Sequence, residues 1–177
     1  MGIISEKPDA YGPFWIATSL IFIVAVSSHI SSFLSAWMLD KKWAYDFQSF
    51  LTLASMVYSF LAGVPLVLWF GIRQFNSKFK LITALCLYGY SFIPFIPAAA
   101  LSIFPSQIFP FPYAWLLFLG AGAVSILFLL RNLAPTIIES TGDKAIIFLG
   151  VLAVVQFVFT LMVKFNYSAI EVDMSSQ

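Results

Sequence analysis

Five long stretches of apolar residues without Asp, Glu, Lys or Arg constrain this chain more than any other feature. They lie at 14–36, 50–72, 81–104, 113–130 and 145–163. About 20 residues rising roughly 1.5 Å each cross a hydrocarbon core of about 30 Å. Backbone groups in lipid must be paired within a helix or a closed barrel, and these stretches lack the alternation of barrel strands. The sequence therefore predicts an all-α integral membrane bundle of five transmembrane helices.

The composition excludes several other classes of protein. Hydrophobic residues make up 61% of the chain and charged residues 10%, against roughly 45–50% and about 25% in a soluble domain. The net charge of +1 offers no basic patch, so we expect membrane lipids as surroundings and no nucleic acid as a partner. The single cysteine, Cys86, lies in an apolar stretch and provides neither a disulfide framework nor a thiolate metal site.

The basic residues between the spans predict the orientation. If the N-terminus is cytoplasmic, six basic residues fall on that side: Lys7, Arg73, Lys78, Lys80, Arg131 and Lys144. Three fall on the other side: Lys41, Lys42 and Lys164. The positive-inside rule then predicts a short cytoplasmic N-terminus (1–12) before the five-span membrane domain (13–163), and a lumenal or extracellular tail (164–177). All charged side chains are expected to lie outside the spans.

The sequence "DAYGPFWIA" at 9–17 marks the start of the first span. Proline is favoured in the first turn of a helix, where its missing N–H is not needed, so Pro13 is expected to begin the span. Gly12 allows a tight entry into that turn. The aromatic side chains of Tyr11, Phe14 and Trp15 are expected at the level of the lipid headgroups.

Two prolines distinguish the third span. Pro94 and Pro97 remove the N–H donors that would serve the carbonyls of Tyr90 and Ile93, so we expect a kink or break there. The freed carbonyls need partners, such as Ser91, an adjoining helix or an internal water. The break is open to two interpretations: a packing kink, or the binding site of a small transporter or channel.

Recognisable catalytic chemistry is missing from the spans. His29 is the only histidine and has no carboxylate in its apolar stretch. A neutral histidine bonded to a neighbouring helix and a Ser/His dyad are both compatible with its position, and no local signature selects a serine. Paired acids, metal-ligand spacings and cofactor motifs are absent from the sequence. We expect no enzymatic activity, no metal and no cofactor.

Two motifs in order resemble a known family. The first, "DAYGPFWI", contains Asp9, Tyr11, Gly12, Pro13, Phe14 and Trp15, with Ala10 where the family has leucine. The second, "YGYSFIPFIPAAAL", contains Tyr88, Gly89, Tyr90, Ser91, Pro94, Ile96 and Pro97. These motifs resemble those of the Yip family, the Ypt/Rab-interacting membrane proteins of the ER and Golgi.

The resemblance implies five spans, a cytoplasmic N-terminus and a lumenal C-terminus. It also implies association with prenylated Rab-type GTPases and with related five-span proteins in vesicle transport, without catalysis. Family members usually carry a longer polar region before the first motif, whereas about ten residues precede Tyr11 here. We therefore expect either a fragment or short form, or a GTPase contact through the loops at 73–80 and 131–144.

Overall fold

The structure is a computed structural model, and its regular elements over the described residues are α-helices. The structure describes residues 11–38, 40, 47–74, 80–104, 113–141 and 145–172. Six helices occupy these ranges: α1 (Tyr11–Met38), α2 (Phe47–Arg73), α3 (Leu81–Tyr90), α4 (Phe95–Leu101), α5 (Tyr113–Thr141) and α6 (Ala145–Val172). With α3 and α4 forming one span, the described residues contain five helical segments long and apolar enough to cross a membrane. The predicted five-span, all-α bundle is confirmed.

The first helix lies at the centre of the packing. α1 contacts α2, α3, α4 and α6, while α5 packs along α6. One face of α1 carries apolar core residues such as Leu20 and Val24, both with no exposed surface. Further along, its small hydroxyl residues are also buried: Ser27, Ser28, Ser31, Ser32 and Ser35. Small side chains allow helices to approach closely, so they permit α1 to contact four neighbours.

The third span is interrupted between α3 and α4. The turn covers Ser91 to Pro94, and α4 begins at Phe95. The N–H of Ile93 donates to the carbonyl of Tyr90 at 3.2 Å, and the N–H of Ile96 donates to the carbonyl of Ile93 at 3.1 Å. These are the two carbonyls that lose their usual donors to Pro94 and Pro97. Each of these carbonyls therefore accepts a hydrogen bond from the N–H three residues later, as in a 3₁₀ turn, in place of the bond from four residues later.

Two helices run far beyond their apolar stretches, whereas α1 and α2 exceed theirs by three residues or fewer at either end. α5 continues past Arg131 because Leu133 and Ile137 stay on its buried face, at 1% and 0% exposure, while Arg131 is exposed. α6 continues to Val172, past the predicted end of its span at residue 163. An amphipathic continuation needs only one apolar face, so a search for uninterrupted apolar residues stops too early.

Lys164, the residue after the predicted end of the last span, is buried in the bundle. The expectation that all charged side chains lie outside the spans stays a prediction. The Lys164 side chain is 4% exposed and belongs to the apolar segment Ala145–Ser168. The ammonium lies 5.1 Å from the ring centroid of Trp115 and 5.7 Å from that of Tyr167. Aromatic ring faces attract a cation, which offsets part of the cost of burying it. One of the two rings, that of Trp115, belongs to a different helix, α5. The sequence alone therefore did not indicate this environment.

Candidate functional site

The first motif occupies the first turn of α1 and divides into a buried and an exposed part. Pro13 is buried and Gly12 is half-buried. Three aromatic side chains point outward: Tyr11 is 75% exposed, Phe14 50% and Trp15 62%. We call these three residues the aromatic face. Asp9, also part of the motif, lies outside the described residues.

The buried part of the first motif packs directly against the second. A Cβ atom at Gly89 would lie 2.4 Å from the Cβ and 2.7 Å from the Cα of Pro13. A Cβ atom at Gly12 would lie 2.7 Å from the hydroxyl oxygen of Tyr90. Real Cβ atoms do not approach so closely. The Cα of Pro13 is backbone, so α1 and α3 can meet at this distance only with glycine at position 89, whereas at position 12 the end of the Tyr90 side chain would have to shift. We call Gly12, Pro13, Gly89 and Tyr90 the motif junction.

The motif junction lies well inside the third span. Gly89 is the ninth residue of α3, which places it about 12 Å along the helix axis from Leu81 at roughly 1.5 Å per residue. α1 therefore begins against the interior of α3 and not beside its first turn. The expectation that the aromatic face lies at headgroup level stays a prediction.

Aromatic contacts hold the exposed half of the motif against α2. The ring of Phe14 stacks on Tyr58 with centroids 6.0 Å apart, and Trp15 meets Phe14 edge-on at 5.9 Å. The hydroxyl of Tyr58 is hydrogen-bonded to Thr18 Oγ1 at 2.9 Å. Offset and edge-on ring pairs are favourable geometries. The aromatic face is therefore supported by α2 while much of its surface stays accessible.

Polar groups connect the break in the third span to α5 and α6. Ser91 Oγ donates to the carbonyl of Tyr88 at 2.6 Å. The carbonyl of Ser91 accepts a bond from Ser125 Oγ at 2.6 Å. Gln156 Nε2 then donates to Ser125 Oγ, also at 2.6 Å. Ser91, Ser125 and Gln156 each have no exposed surface, and buried polar groups in a membrane bundle join helices through such bonds. We call these three residues the serine–glutamine chain.

Sequence reasoning did not identify Gln156. A signal was present, because Gln156 is the one amide side chain in the apolar stretch 145–163. An amide in hydrocarbon requires partners, so its position could have been read as an interhelical contact. The sequence does not indicate that its partner is Ser125.

An aromatic cluster fixes the turn between α3 and α4, and the start of α4, to α6. Phe159 has no exposed surface. Its ring stacks on Phe92, with centroids 4.6 Å apart and planes at 14°, and lies edge-on to Phe95 at 5.5 Å. Phe60 of α2 approaches the same ring at 5.1 Å. Large rings therefore fill the region around the break.

The two motifs thus form one structural unit. Comparison with known proteins shows the family to which the chain belongs. The Yip1 domain model matches residues 2–162, nearly the whole chain. The chain belongs to the Yip family.

Two curated relatives agree with this membership of the Yip family. The chain is 33% identical over 167 residues to the Protein YIPF1 homolog of Dictyostelium discoideum, covering 94% of this chain and 47% of the relative. It is 31% identical over 151 residues to Protein YIP5 of Schizosaccharomyces pombe, covering 80% of this chain and 58% of that protein. The chain therefore spans about half the length of these relatives. No solved structure matches it.

The Yip domain contains both motifs and every contact of the motif junction. Of the residues singled out from the sequence, the structure brings together Gly12, Pro13, Gly89 and Tyr90. Pro94 and Pro97 lie beyond the junction in the same span, half-buried and exposed respectively. Within the described ranges, no three His, Cys, Asp or Glu residues are grouped to hold a metal ion. The arrangement of the motifs favours assembly of helices.

Proposed function

We propose that this chain is a non-catalytic membrane protein of vesicle transport between the ER and Golgi or within the Golgi. In this proposal it associates with Rab-type small GTPases and with other Yip-family membrane proteins. The observation that carries the proposal is the Yip1 domain over residues 2–162. The motif junction supports it, because two separated motifs meet in one packed contact.

The proposed topology has a cytoplasmic N-terminus and a lumenal C-terminus. Its support is the excess of six basic residues over three on the proposed cytoplasmic side. In this orientation the segments at 73–80 and 131–144 face the cytoplasm, where a GTPase is available. We propose these two segments as the GTPase contacts.

We assign contact with other Yip-family membrane proteins to the aromatic face and not to the motif junction, because the junction beside it lies well inside the third span. Gly12 and Pro13 are engaged with α3, whereas Tyr11 and Trp15 retain most of their accessible surface. Exposed aromatic residues contribute strongly to interfaces because they bury a large area with few rotatable bonds. The buried half would hold the exposed half in place.

Proximity labelling from the N-terminus in cells, with mass spectrometry of the labelled proteins, tests this proposal. The informative variant is Trp15→Ala, and its control is Trp37→Ala, since Trp37 is 74% exposed near the other end of α1. We expect wild type and Trp37→Ala to label Rab GTPases, Yip-family proteins and Golgi markers, and Trp15→Ala to lose the Yip-family proteins. Labelling of another membrane without GTPases contradicts the proposal. Equal labelling by the two variants contradicts the role of the aromatic face.

The alternative is a small channel or a transporter of lipid or uncharged solute, built around Pro94 and Pro97. The carbonyls of Tyr90 and Ile93 are engaged in local hydrogen bonds, so they are not the free ligands that such a site would use. The transporter hypothesis stays a prediction. Flux into liposomes that is reduced by the combined Pro94→Ala and Pro97→Ala change would support it.

A further inference from the structure

The serine–glutamine chain joins three spans near their midpoints. Ser91 is the middle residue of the span formed by α3 and α4, and Ser125 and Gln156 each lie within one residue of the middle of their spans. Phe60, the middle residue of α2, contacts the ring of Phe159, three residues from Gln156. Four spans therefore share one level, which we call the bundle midplane. A bilayer centred on these spans has its hydrocarbon surfaces about 15 Å to either side of that level.

α1 meets the bundle midplane with its first turn and not with its middle. Pro13 packs against Gly89, two residues before Ser91, and Phe14 stacks on Tyr58, two residues from the middle of α2. The middle of α1 lies about eleven residues beyond Pro13, or about 16 Å further along the axis at roughly 1.5 Å per residue. The first span is therefore displaced by about half of a hydrocarbon core of about 30 Å.

The far end of α1 extends toward the start of α2, where Phe50 lines one groove together with Ile30 and Phe33. Phe33 is 20 residues beyond Pro13, about 30 Å along the axis, which is about twice the distance from the midplane to a hydrocarbon surface. Ile30 and Phe33 are 43% and 52% exposed, and exposed apolar surface is more stable against lipid than against water. The far end therefore favours a bilayer displaced in the direction in which α1 runs.

The other end of α1 draws a charged residue toward the hydrocarbon core, on the side from which α1 starts, which we call the entry side. At roughly 1.5 Å per residue, Tyr11 lies about 6 Å from the bundle midplane. Asp9 precedes Tyr11 by two residues, and an extended chain covers at most about 3.6 Å per residue. The Cα of Asp9 is therefore within about 13 Å of the midplane, inside the core of a flat bilayer. A carboxylate there is costly unless the bilayer thins or water enters.

We propose that this chain deforms the bilayer beside α1, by drawing the membrane surface on the entry side inward toward the first turn of that helix. Both ends of α1 favour the same displacement, although the reasons at the two ends are independent. The lipid partner that fits the chain is a bilayer whose entry-side leaflet is thinner beside the aromatic face than beside α5. In the proposed topology this is the cytoplasmic leaflet. The deformation does not depend on GTPase binding.

The test measures water at three labelled positions of the full chain in phosphatidylcholine nanodiscs, by the deuterium modulation of a spin label in D₂O. Each label is attached to one cysteine in a Cys86→Ser background. Trp15→Cys reports on the aromatic face. Val124→Cys is the matched control at the bundle midplane, because Val124 is 54% exposed on α5 and adjoins the serine–glutamine chain. Ile147→Cys marks the surface.

Ile147 suits this calibration because it is 67% exposed and lies nine residues before Gln156, about 13 Å along α6. It is on the entry side, since the end of α2 meets the start of α6 where Gly71 faces Phe148. We expect deuterium modulation about two-fold or more stronger at position 15 than at position 124, and closer to that at 147. Tyr11→Cys repeats the measurement from the same turn, at a side chain that is 75% exposed.

Two substitutions test the cause of the deformation. Asp9→Leu should lower the modulation at position 15 to about that at position 124, because the carboxylate no longer draws water into the core. Glu6→Leu is the matched control and should leave it unchanged, since Glu6 is five residues before Tyr11 and its chain reaches water beyond a flat surface. All variants are compared after gel filtration shows the wild-type elution position.

Three results would overturn the proposal. Equally weak modulation at positions 15 and 124 would show that no membrane surface is drawn inward. Modulation at position 124 as strong as at 147 would place the bundle midplane away from the bilayer centre. An unchanged signal in Asp9→Leu would remove the carboxylate as the cause of the deformation. A failure of GTPase binding changes none of these readouts, so the two proposals are tested separately.

Discussion

Substituting Gly89 by alanine tests the motif junction through one methyl group. The new Cβ would lie 2.4 Å from the Cβ of Pro13 and 2.7 Å from its Cα. The Cα is backbone and cannot rotate away, so α1 and α3 must separate by about 1 Å to reach ordinary contact near 3.4 Å. The substitution therefore strains the packing of two helices and not only the conformation of one side chain.

The size of the effect follows from two opposing terms. Forcing an extra carbon into a packed site costs roughly 1–3 kcal/mol, and we expect the upper end because backbone must move. Alanine is favoured over glycine within a helix by about 1 kcal/mol. The net expectation for Gly89→Ala is a loss of about 2 kcal/mol in the free energy of unfolding.

Gly63→Ala provides the matched control, because a Cβ atom there would meet nothing within 4 Å. This variant should gain up to about 1 kcal/mol from helix propensity alone. The assay is unfolding of the full chain in detergent, followed by tryptophan fluorescence. A Gly89→Ala variant as stable as Gly63→Ala would refute the close contact between Pro13 and Gly89.

Two further substitutions test the contacts around the break. Phe159→Ala should lower the free energy of unfolding by about 3–5 kcal/mol, since it removes a fully buried ring from the centre of the aromatic cluster. A loss below about 1 kcal/mol in the same unfolding assay would contradict this packing. Ser125→Ala should cost about 1–3 kcal/mol by leaving Gln156 Nε2 without its acceptor, and adding Gln156→Leu should recover part of that loss. Additive effects in this double-mutant cycle would show that the two side chains do not interact.

The number of spans could be predicted because it depends on length and charge alone. A helix must cross the hydrocarbon core, and apolar stretches of sufficient length are visible in the sequence. The ends of the helices are less predictable. α5 continues past its apolar stretch because Leu133 and Ile137 are buried in the bundle. The sequence does not show that these two residues are buried, so it does not show where the helix ends.

The motif residues could be found in the sequence, but their contact could not. Glycine at positions 12 and 89 indicates that something approaches closely, without indicating what. The partner of each glycine lies on a helix more than 70 residues away in the chain. The pairing follows from how α1 crosses α3, which is a property of the whole bundle. The division of the first motif into buried and exposed halves has the same origin.

The environment of Lys164 shows a third limit of sequence reasoning. A lysine that follows an apolar stretch is normally assigned to the membrane surface. Its burial beside Trp115 requires α5 and α6 to be aligned at that level, which the sequence does not specify.

Disulfide crosslinking in native membranes tests most directly the central claim that the two motifs form one junction. Pro13→Cys and Gly89→Cys are introduced together in a Cys86→Ser background, which removes the chain's own thiol. Pro13→Cys with Gly63→Cys is the control pair, and maleimide labelling counts the thiols that remain after oxidation. We predict that the 13/89 pair forms a disulfide and that the control pair stays reduced. A disulfide requires Cβ atoms roughly 3.8 Å apart. A small movement of α1 away from α3 increases the Cβ–Cβ distance of the 13/89 pair from 2.4 Å to that value. Free thiols in the 13/89 pair, or equal oxidation of both pairs, would contradict the junction.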